Sequence, residues 1–250
     1  MKVSVITVCY NSSRTILDTI ESVKLQDHDD IEYIVIDGSS NDGTLEILKQ
    51  NAEHIDKLVS EPDEGLYDAM NKGILLSSGD VIAILNSDDV YENDHVISDA
   101  IKTFTSDSTL DLVFGDVVFV KNDDLTIITR HYRAGHFKPW KLRFGWMPPH
   151  TATFVKKSGY EQAGLYSINY KIAADFEMFV RLLIVKKLKF KYLHKTLVRM
   201  RVGGVSTSGI RSNIVTALEN VKACRENGIY TNLFFVLTKV PFKLLEFKLY

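Results

Sequence analysis

The feature that most constrains the fold is the regular alternation of two kinds of segment in the first third of the chain. Continuous runs of β-branched and other apolar residues, typical of strands buried on both faces, alternate with segments whose apolar residues recur at helical spacing. This order predicts an α/β fold with a Rossmann-like, mostly parallel sheet and helices on both faces. The predicted strands are Val3–Cys9, Ile31–Asp37, Lys57–Ser60 and Asp80–Leu85.

The pattern changes after about residue 110. Two strands joined by a turn are predicted over residues 111–132, and two further short strands over Phe190–His194 and Leu197–Arg201. Between them, residues 134–150 form an aromatic, proline-containing segment, interpreted either as a hydrophobic plug under the sheet or as a substrate-facing loop. Two helices are predicted in the last 40 residues, the second near Asn232–Phe247.

Composition and charge narrow the class of protein. The chain is 45% hydrophobic and 25% charged with a formal net charge of −2, which is ordinary for a globular protein and gives no reason to expect a nucleic acid partner. Cys9 and Cys224 lie outside any metal-type spacing, which predicts free thiols in a reducing cytoplasm. The short apolar run at the start predicts a core strand rather than a signal peptide, and no run is long enough to span a bilayer.

Acidic residues follow two of the predicted strands, at the edge where doubly wound sheets bind their ligands. Asp37 is interpreted either as a ligand-facing carboxylate or as a turn former in Asp-Gly-Ser-Ser. Asp88 and Asp89 repel each other unless a cation or solvent separates them, and Mg²⁺ and Mn²⁺ prefer carboxylates together with substrate phosphates. The alternative is a solvated turn that caps a helix predicted over Glu92–Phe104. Any phosphates must be held by metal and side chains, because no glycine-rich phosphate loop is present.

Six segments of the chain form a recognisable series of motifs: VITVCYN at 5–11, YIVIDGSSNDGT at 33–44, SEPDEGLYDAMNKG at 60–73, SSGDVIAILNSDD at 77–89, HTATFVKKSGY at 150–160 and IAADFEMFVRL at 172–182. Together these motifs resemble the family 2 glycosyltransferases, which have the GT-A fold, and look closest to members that act in bacterial polysaccharide or other cell-surface glycan assembly. The resemblance covers about residues 1–205, and the four early motifs together are highly specific.

The resemblance implies roles for individual residues in binding the donor. Asp37 would accept a hydrogen bond from the nucleobase ring, and Asp88, with Asp89 beside it, would bind a divalent cation, Mn²⁺ or Mg²⁺. Asn86 stands at the first position of the DxD-type motif, where some members carry Asp. The further residues assigned to the donor are Thr7, Tyr10, Asn11, Asp68, Lys72, His150 and Arg201, of which Asp68 or Lys72 would compensate for an arginine that many members carry where this chain has Met70.

Three of these assignments have open alternatives. Asp175 falls where the family places its general base, but an acid at a helix N-terminus is also favoured by the helix dipole. His150 would contact the donor diphosphate or the metal, or be structural. Arg201 would pair with phosphate in a glycine-rich loop over Arg199–Ser206, or be solvated there.

The resemblance implies an inverting transferase that moves a hexose or N-acetylhexosamine from a nucleotide-sugar, with UDP favoured, to a hydroxyl of a lipid-linked or growing glycan. The alternatives are a nucleotide-sugar-binding protein without transfer activity and a nucleotidyltransferase. We expect a GT-A catalytic domain over residues 1–208, with a nucleotide-sugar half to about 110 and an acceptor half from 111, and a helical tail over 209–250. The apolar tail predicts membrane contact, dimerisation or packing on the domain. The expected location is the cytoplasm, including the inner face of the plasma membrane.

Overall fold

The computed structural model describes residues 1–203 and 209–241, which form a nine-stranded mixed sheet with helices on both faces. The first four strands lie in the order β3-β2-β1-β4 and pair in parallel. They are β1 (Val3–Cys9), β2 (Ile31–Asp37), β3 (Lys57–Ser60) and β4 (Val81–Ile84). The apolar residues of β1, β2 and β4 are buried on both faces, as a covered parallel sheet requires. The predicted α/β class is confirmed.

The second half of the sheet is mixed. β8 pairs antiparallel with β4 and β6, β9 runs parallel to β6, and β5 and β7 pair antiparallel with β9 and β6. These strands are β5 (Asp89–Tyr91), β6 (Leu112–Lys121), β7 (Asp124–Tyr132), β8 (Thr153–Lys156) and β9 (Phe190–Arg201). The prediction of two short strands before residue 201 was wrong, because a register shift beside Gly115 keeps β9 continuous. A Cβ on Gly115 would lie 2.5 Å from Leu197 Cγ, so only glycine lets β9 approach here.

Helices cover the two faces of the sheet and enclose two apolar cores. α3 and α6 cover one face, where Met70 and Phe176 are buried, and α1 and α4 cover the other, where Ile20 and Phe104 are buried. The helices are α1 (Ile16–Lys24), α2 (Thr44–Gln50), α3 (Leu66–Leu76), α4 (Val96–Ser106), α5 (Lys157–Ala163), α6 (Ala174–Val180), α7 (Ile210–Glu226) and α8 (Leu233–Leu237).

The chain around Asp88 and Asp89 differs from the prediction. The helix predicted over Glu92–Phe104 begins only at Val96, because residues 89–91 form β5 and pair with β9. The N–H of Glu92 donates to the carbonyl of Leu197 at 2.9 Å, which keeps the chain extended beyond the strand. A pairing between residues about a hundred positions apart outweighs local helix propensity here.

The aromatic segment 134–150 combines both of its predicted roles. Phe137 and Leu142 are buried and fill the core beneath the sheet, around a 3₁₀ helix over Pro139–Phe144. Trp146 and Met147 instead line a cleft at the edge of the sheet. The segment is therefore a plug on one side and a cleft wall on the other.

The C-terminal helices pack on the α/β body. α7 packs against α6 and α8, and α8 packs against the 3₁₀ helix, with Ala217, Val221 and Val236 buried between α7 and α8. Of the helix predicted over Asn232–Phe247, the structure describes α8 and the residues to 241; Phe242 onwards, and residues 204–206 of the predicted glycine-rich loop, lie outside the described residues. Among the helices that are described, none is both long and apolar enough to cross a bilayer.

Candidate active site

A cleft of about 1840 Å³ opens at the carboxyl ends of β1 and β4. Loops converge at this edge of a parallel sheet, which is why ligands bind there in α/β folds. One end of the cleft is lined by the loop after β1 and by residues 86–89 after β4. The other end is lined by residues 145–150, by the segment 171–176 that leads into α6, and by α7 and α8.

The polar residues after β4 lie at the centre of the cleft. Asp88 is half-buried and Asp89 is almost fully buried. Burial raises the pKa of the Asp88 carboxyl, against the opposing effects of its own backbone N–H and of the nearby Arg201 and His150. Burial, and then the charge of Asp88, raises the pKa of Asp89 well above its usual range. The raised pKa values show that charge on this pair is incompletely offset by the protein alone.

Asn86 has a buried oxygen without a hydrogen-bond partner in the part of the chain that the structure describes. Its amide nitrogen lies 3.3 Å from Asp89 Oδ2, whereas its Oδ1 is buried and accepts no hydrogen bond from the described residues. Orphaned buried oxygens are rare in proteins and are commonly satisfied by a ligand, an ion or a water. Oδ1 of Asn86 and the carboxylate of Asp88 are the hard oxygen donors that Mg²⁺ and Mn²⁺ prefer.

These residues fit a cation that takes its other ligands from the donor. Among residues 1–203 and 209–241, no group of three or more His, Cys, Asp or Glu side chains could hold a metal ion by itself. Mg²⁺ and Mn²⁺ are often held by one or two carboxylates plus substrate phosphates, so a complete protein cage is unnecessary. Asp88 would supply the carboxylate and Asn86 an amide oxygen, with Asp89 behind them.

His150 connects the acids after β4 to Asp175. Its Nδ1 lies 3.3 Å from Asp175 Oδ2, and its Nε2 lies 3.4 Å from Asn86 Nδ2. Because the amide nitrogen of Asn86 can only donate, Nε2 acts as the acceptor and the ring proton resides on Nδ1, facing Asp175. His150 stands at the start of a 3₁₀ helix that follows Pro148 and Pro149 and leads into β8.

Asp175 occupies the first turn of α6 and lines the cleft. Its Oδ1 accepts the N–H of Phe176 at 2.7 Å, and its Oδ2 faces His150. The side chain is 15% exposed, so the carboxylate reaches the cleft while most of its surroundings are protein. Asp175 therefore places an acidic charge at the start of α6 and also presents its carboxylate to the cleft.

Arg201 lies at the end of β9 and is engaged by the protein. It donates to the carboxylate of Asp18, to the carbonyl of Asp88 at 2.8 Å and to the carbonyl of Asn122 at 3.2 Å. The side chain is 5% exposed, although the residue lines the cleft. Its guanidinium holds the backbone at Asp88. A phosphate, the partner predicted for Arg201, would have to compete with the three protein acceptors that the guanidinium already bonds. Sequence reasoning did not find Asp18, since its partner lies 183 residues away.

The end of the cleft formed by β1 and β2 combines an exposed aromatic ring with a carboxylate. Tyr10 is 64% exposed and lines the cleft together with Gly38 and Asp63. A Cβ on Gly38 would lie 2.5 Å from Asp63 Oδ2 and 3.4 Å from Tyr10 Cδ2, so the absence of a side chain brings these groups together. Asn11, with a positive φ of 50°, ties this loop to the next by accepting from the N–H of Asn41 at 3.0 Å.

Two residues predicted to contact the nucleobase lie behind the cleft surface. Thr7 is fully buried and accepts a hydrogen bond from the Tyr33 hydroxyl at 3.1 Å. Asp37 is also fully buried, where it accepts from the hydroxyls of Ser40 at 2.5 Å and Ser60 at 2.6 Å. Neither lines the cleft. The carboxylate of Asp37 holds the loop after β2, while the half-buried Asp63 lines the cleft; a contact between Asp37 and the base stays a prediction.

Asp68 and Lys72, which were predicted to compensate for the arginine that many family members carry at the position of Met70, do not line the cleft. Lys72 is paired with Glu61 at 2.9 Å and with Asp68 at 3.3 Å, and Asp68 accepts the N–H of Glu64 at 3.1 Å. These pairs stabilise the start of α3. Met70 is fully buried in the wall of the cleft, where an arginine would have to lose its hydration. The cleft instead presents the exposed Arg14 and Lys171, which sequence reasoning did not single out.

The end of the cleft beyond Asp175 is walled by α7, α8 and the residues after α8. Exposed apolar side chains of these elements line the same cleft as the polar residues at its centre. They are Ile214, Leu218, Leu233, Leu237 and Val240, each between 42% and 55% exposed. Their spacing was visible in the sequence, but only the docking of α7 on α6 shows that they face the cleft.

The sequence of this chain is similar to those of known proteins. The family model described as glycosyl transferase family 2 matches residues 4–162, which is more than half of the chain. The chain belongs to this family. An uncharacterized glycosyltransferase of Mycobacterium tuberculosis is 33% identical over 185 residues, covering 73% of this chain and 69% of that relative. Membership makes this chain a glycosyltransferase, and the motif-based resemblance is confirmed at that level.

Solved structures of glycosyltransferases share the fold. TarS 1–349 of Staphylococcus aureus, solved in complex with UDP-GlcNAc, superposes with a TM-score of 0.68 at 16% identity, covering 100% of this chain and 77% of that one. The mannosyltransferase PcManGT of Pyrobaculum calidifontis, in complex with GDP-Man and Mn²⁺, gives a TM-score of 0.64 at 20% identity, covering 90% of this chain and 63% of that one. The predicted GT-A architecture of this glycosyltransferase is thereby confirmed.

Proposed function

We propose that this glycosyltransferase moves a hexose or N-acetylhexosamine from a UDP-sugar to a hydroxyl acceptor with inversion at the anomeric carbon. The observation that carries the proposal is the link from Asn86 through His150 to Asp175. It joins, in one cleft, oxygen donors suited to a cation and a carboxylate suited to deprotonate a hydroxyl. Sugar transfer needs both, because charge builds on the leaving diphosphate and the acceptor hydroxyl is a poor nucleophile.

The donor base would lie between Tyr10 and Asp63. An exposed aromatic ring offers a stacking surface for a base, and a carboxylate accepts a ring N–H. UDP is favoured because one structural neighbour was solved with UDP-GlcNAc. GDP is the competitor, since the other was solved with GDP-Man and guanine also presents ring N–H and amino donors.

The donor diphosphate would lie beside Asp88 and Asn86, with the exposed Arg14 lining the same cleft. A divalent cation bound there would neutralise charge that develops on the leaving diphosphate. Arg201 would keep Asp88 in place through its bond to the Asp88 carbonyl. Mn²⁺ or Mg²⁺ fits the oxygen donors equally, and the Mn²⁺ in the mannosyltransferase neighbour supports the former.

Asp175 would act as the general base. With the ring proton of His150 on Nδ1, one oxygen of Asp175 is held by the imidazole, which orients the carboxylate and leaves further lone pairs for the acceptor hydroxyl. Deprotonation and attack in one displacement form the new glycosidic bond as the bond to the diphosphate breaks. A single displacement inverts the anomeric centre, because no protein nucleophile intervenes.

The acceptor is proposed to be a lipid-linked or growing glycan of the bacterial cell surface. The apolar wall of α7 and α8 supports a lipid-bearing acceptor, since its exposed side chains continue the same cleft beyond Asp175. The donor half of the domain would extend to about residue 110, with an acceptor half over 111–208 and a tail over 209–250. The enzyme would act in the cytoplasm at the inner face of the membrane, with peripheral contact or dimerisation through the tail.

The test is product analysis with UDP-GlcNAc and Mn²⁺. Release of UDP that Asp88→Asn abolishes while the fold is retained is the expected result. Release of pyrophosphate from UTP and a sugar 1-phosphate would show a nucleotidyltransferase instead. Saturable binding of a panel of UDP- and GDP-sugars without any turnover would show a binding protein, and unchanged turnover in Asp88→Asn would overturn the cation assignment.

A further inference from the structure

The backbone immediately before α6 is held by a carboxylate from the C-terminal helix α7. Oε1 of Glu219 accepts the N–H of Lys171 at 2.8 Å, and Oε2 accepts the N–H groups of Ile172 at 3.0 Å and Ala173 at 2.9 Å. Three consecutive peptide groups are thus bound by one side chain. Asp175 follows two residues later, so this contact fixes the stretch of chain from which it projects.

Such a contact constrains the chain more than a single hydrogen bond does. Backbone N–H groups before and within the first turn of a helix have no intrahelical partner and need another acceptor. A carboxylate satisfies them with charge-assisted bonds that are stronger than neutral ones. Because the three donors are successive and share one carboxylate, rotation of any of these peptides would break at least one bond.

One further side chain bonds the backbone of this segment, and a neighbouring contact joins two side chains without reaching that backbone. The Tyr67 hydroxyl donates to the carbonyl of Ile172 from α3. The Tyr170 hydroxyl donates to Glu226 Oε2 at 2.5 Å, two turns along α7 from Glu219. The tail and the donor-side helix therefore meet at the segment before Asp175. Among the side chains that the structure describes, Glu219 and Tyr67 are the ones that bond the backbone at residues 171–173.

We propose that Glu219 is a positioning residue for glycosyl transfer. Its carboxylate sets the backbone at residues 171–173 so that the Asp175 side chain faces His150 and the acceptor hydroxyl. The inference rests on the proposed role of Asp175 as the base and extends it: α7 is part of the catalytic arrangement as well as a wall of the cleft. A misplacement of about 1 Å in such a group is enough to slow catalysis by ~10²-fold.

The test compares Glu219→Ala and Glu219→Gln with Glu226→Gln in the full chain. Glu226 lies on the same helix and bonds the Tyr170 side chain rather than the backbone before α6, which makes it the matched control. With UDP-GlcNAc and Mn²⁺ as the probe, Glu219→Ala should lower kcat for UDP release by ~10- to 10²-fold, while the donor KM stays within about twofold. Glu219→Gln should lower kcat less than Glu219→Ala does, because the amide oxygen can still accept a hydrogen bond from the backbone N–H groups. Glu226→Gln should keep the wild-type kcat.

Hydrogen exchange separates this inference from the proposed function. Amides 171–173 should be protected in the wild type and exchange at least ~10-fold faster in Glu219→Ala, but not in Glu226→Gln. An inactive wild type with this exchange pattern would refute the proposed function and leave the contact without a catalytic role. An active wild type whose kcat is unchanged in Glu219→Ala would overturn the positioning role alone. Equal losses of kcat in Glu219→Ala and Glu226→Gln would show that α7 acts only through general stability.

Discussion

Nδ1 of His150 lies 3.3 Å from Oδ2 of Asp175, although the two residues are 25 positions apart in the chain and a strand and a helix lie between them. If this pair serves the acceptor hydroxyl, its loss should affect chemistry rather than donor binding. Asp175→Asn should bind UDP-GlcNAc within about twofold of the wild type and lower kcat by at least ~10²-fold, the scale of general-base loss. Isothermal titration and single-turnover rates measure the two effects separately.

His150→Gln is the companion variant to Asp175→Asn. It removes the ring that orients Asp175 and also the contact to Asn86, so we expect a smaller loss of kcat, ~10-fold, with a modest loss of donor affinity. If Asp175→Asn failed to fold, the interpretation of Asp175 as a helix-terminal charge would be favoured over that of a base.

The second prediction concerns the base pocket. Asp63→Asn should reduce the thermal protection given by UDP with Mn²⁺ and remove its advantage over GDP, because Asp63 presents its carboxylate beside the exposed Tyr10. Tyr10→Ala should weaken both nucleotides, since stacking serves any base. Differential scanning fluorimetry at equal nucleotide concentrations measures these shifts.

Asp37→Asn is the contrasting variant in the base pocket. Because Asp37 is fully buried and bonded by Ser40 and Ser60, its change should lower the melting temperature of the nucleotide-free protein. If Asp37→Asn lost the thermal protection by UDP but kept that by GDP, and Asp63→Asn kept both, Asp37 and not Asp63 would be the residue that contacts the base. Stronger protection of the wild type by GDP would overturn the choice of donor and leave the transferase assignment standing.

The third prediction concerns the apolar wall of the cleft. If the acceptor carries a lipid, octyl glycosides should have a KM at least ~10-fold below that of the matching methyl glycosides, since each buried methylene contributes about 0.8 kcal/mol. Leu218→Ser should reduce that ratio without changing the donor KM. Leu75→Ser, an exposed leucine on α3 outside the cleft, is the control and should leave it unchanged. Equal KM values for methyl and octyl glycosides would argue for an acceptor without a lipid.

The fourth prediction concerns stability in acid. Glu32 is 4% exposed and accepts from Lys57 at 2.8 Å, Ser4 at 2.5 Å and the N–H of Ser78 at 2.7 Å. Burial by itself would raise the pKa of Glu32, but these hydrogen bonds outweigh it and hold the pKa well below its usual range. Glu32→Gln should therefore cost ~2 kcal/mol at pH 7, the scale for hydrogen bonds to a charged group.

The sign of the pH dependence follows from the lowered pKa. The folded state binds the proton more weakly than the unfolded state, so this stabilisation is complete above the unfolded pKa of about 4.3 and is lost as pH falls below it. The difference in free energy of unfolding between the wild type and Glu32→Gln, measured by urea titration, should therefore become smaller below about pH 4. Glu53→Gln, at a side chain that is 80% exposed, should match the wild type throughout. A difference that is constant with pH would contradict the ionic origin.

Local sequence was sufficient for the first half of the fold. The bounds of β1 and β2 were predicted to the residue, because β-branched runs buried on both faces leave little alternative to a parallel strand. The acids after the fourth strand were likewise expected at the carboxyl edge of the sheet, where parallel strands end together, and Asp88 and Asp89 line the cleft at that edge. Family motifs then supplied Asp175, whose chemistry no local pattern distinguishes from helix-terminal charge.

The exposure and the partners of the acidic residues depend on contacts between segments that are distant in the chain, so only the tertiary structure decided them. Asp37 and Asp63 are both acids in loops after strands, and only the packing of Ser40, Ser60 and Gly38 shows which is buried and which is presented. The sequence determined which chemical groups this glycosyltransferase possesses and which sheet edge carries them. Their exposure, their partners and the approach of Glu219 to the backbone before Asp175 were set by docking of elements up to 183 residues apart, which short-range periodicity does not encode.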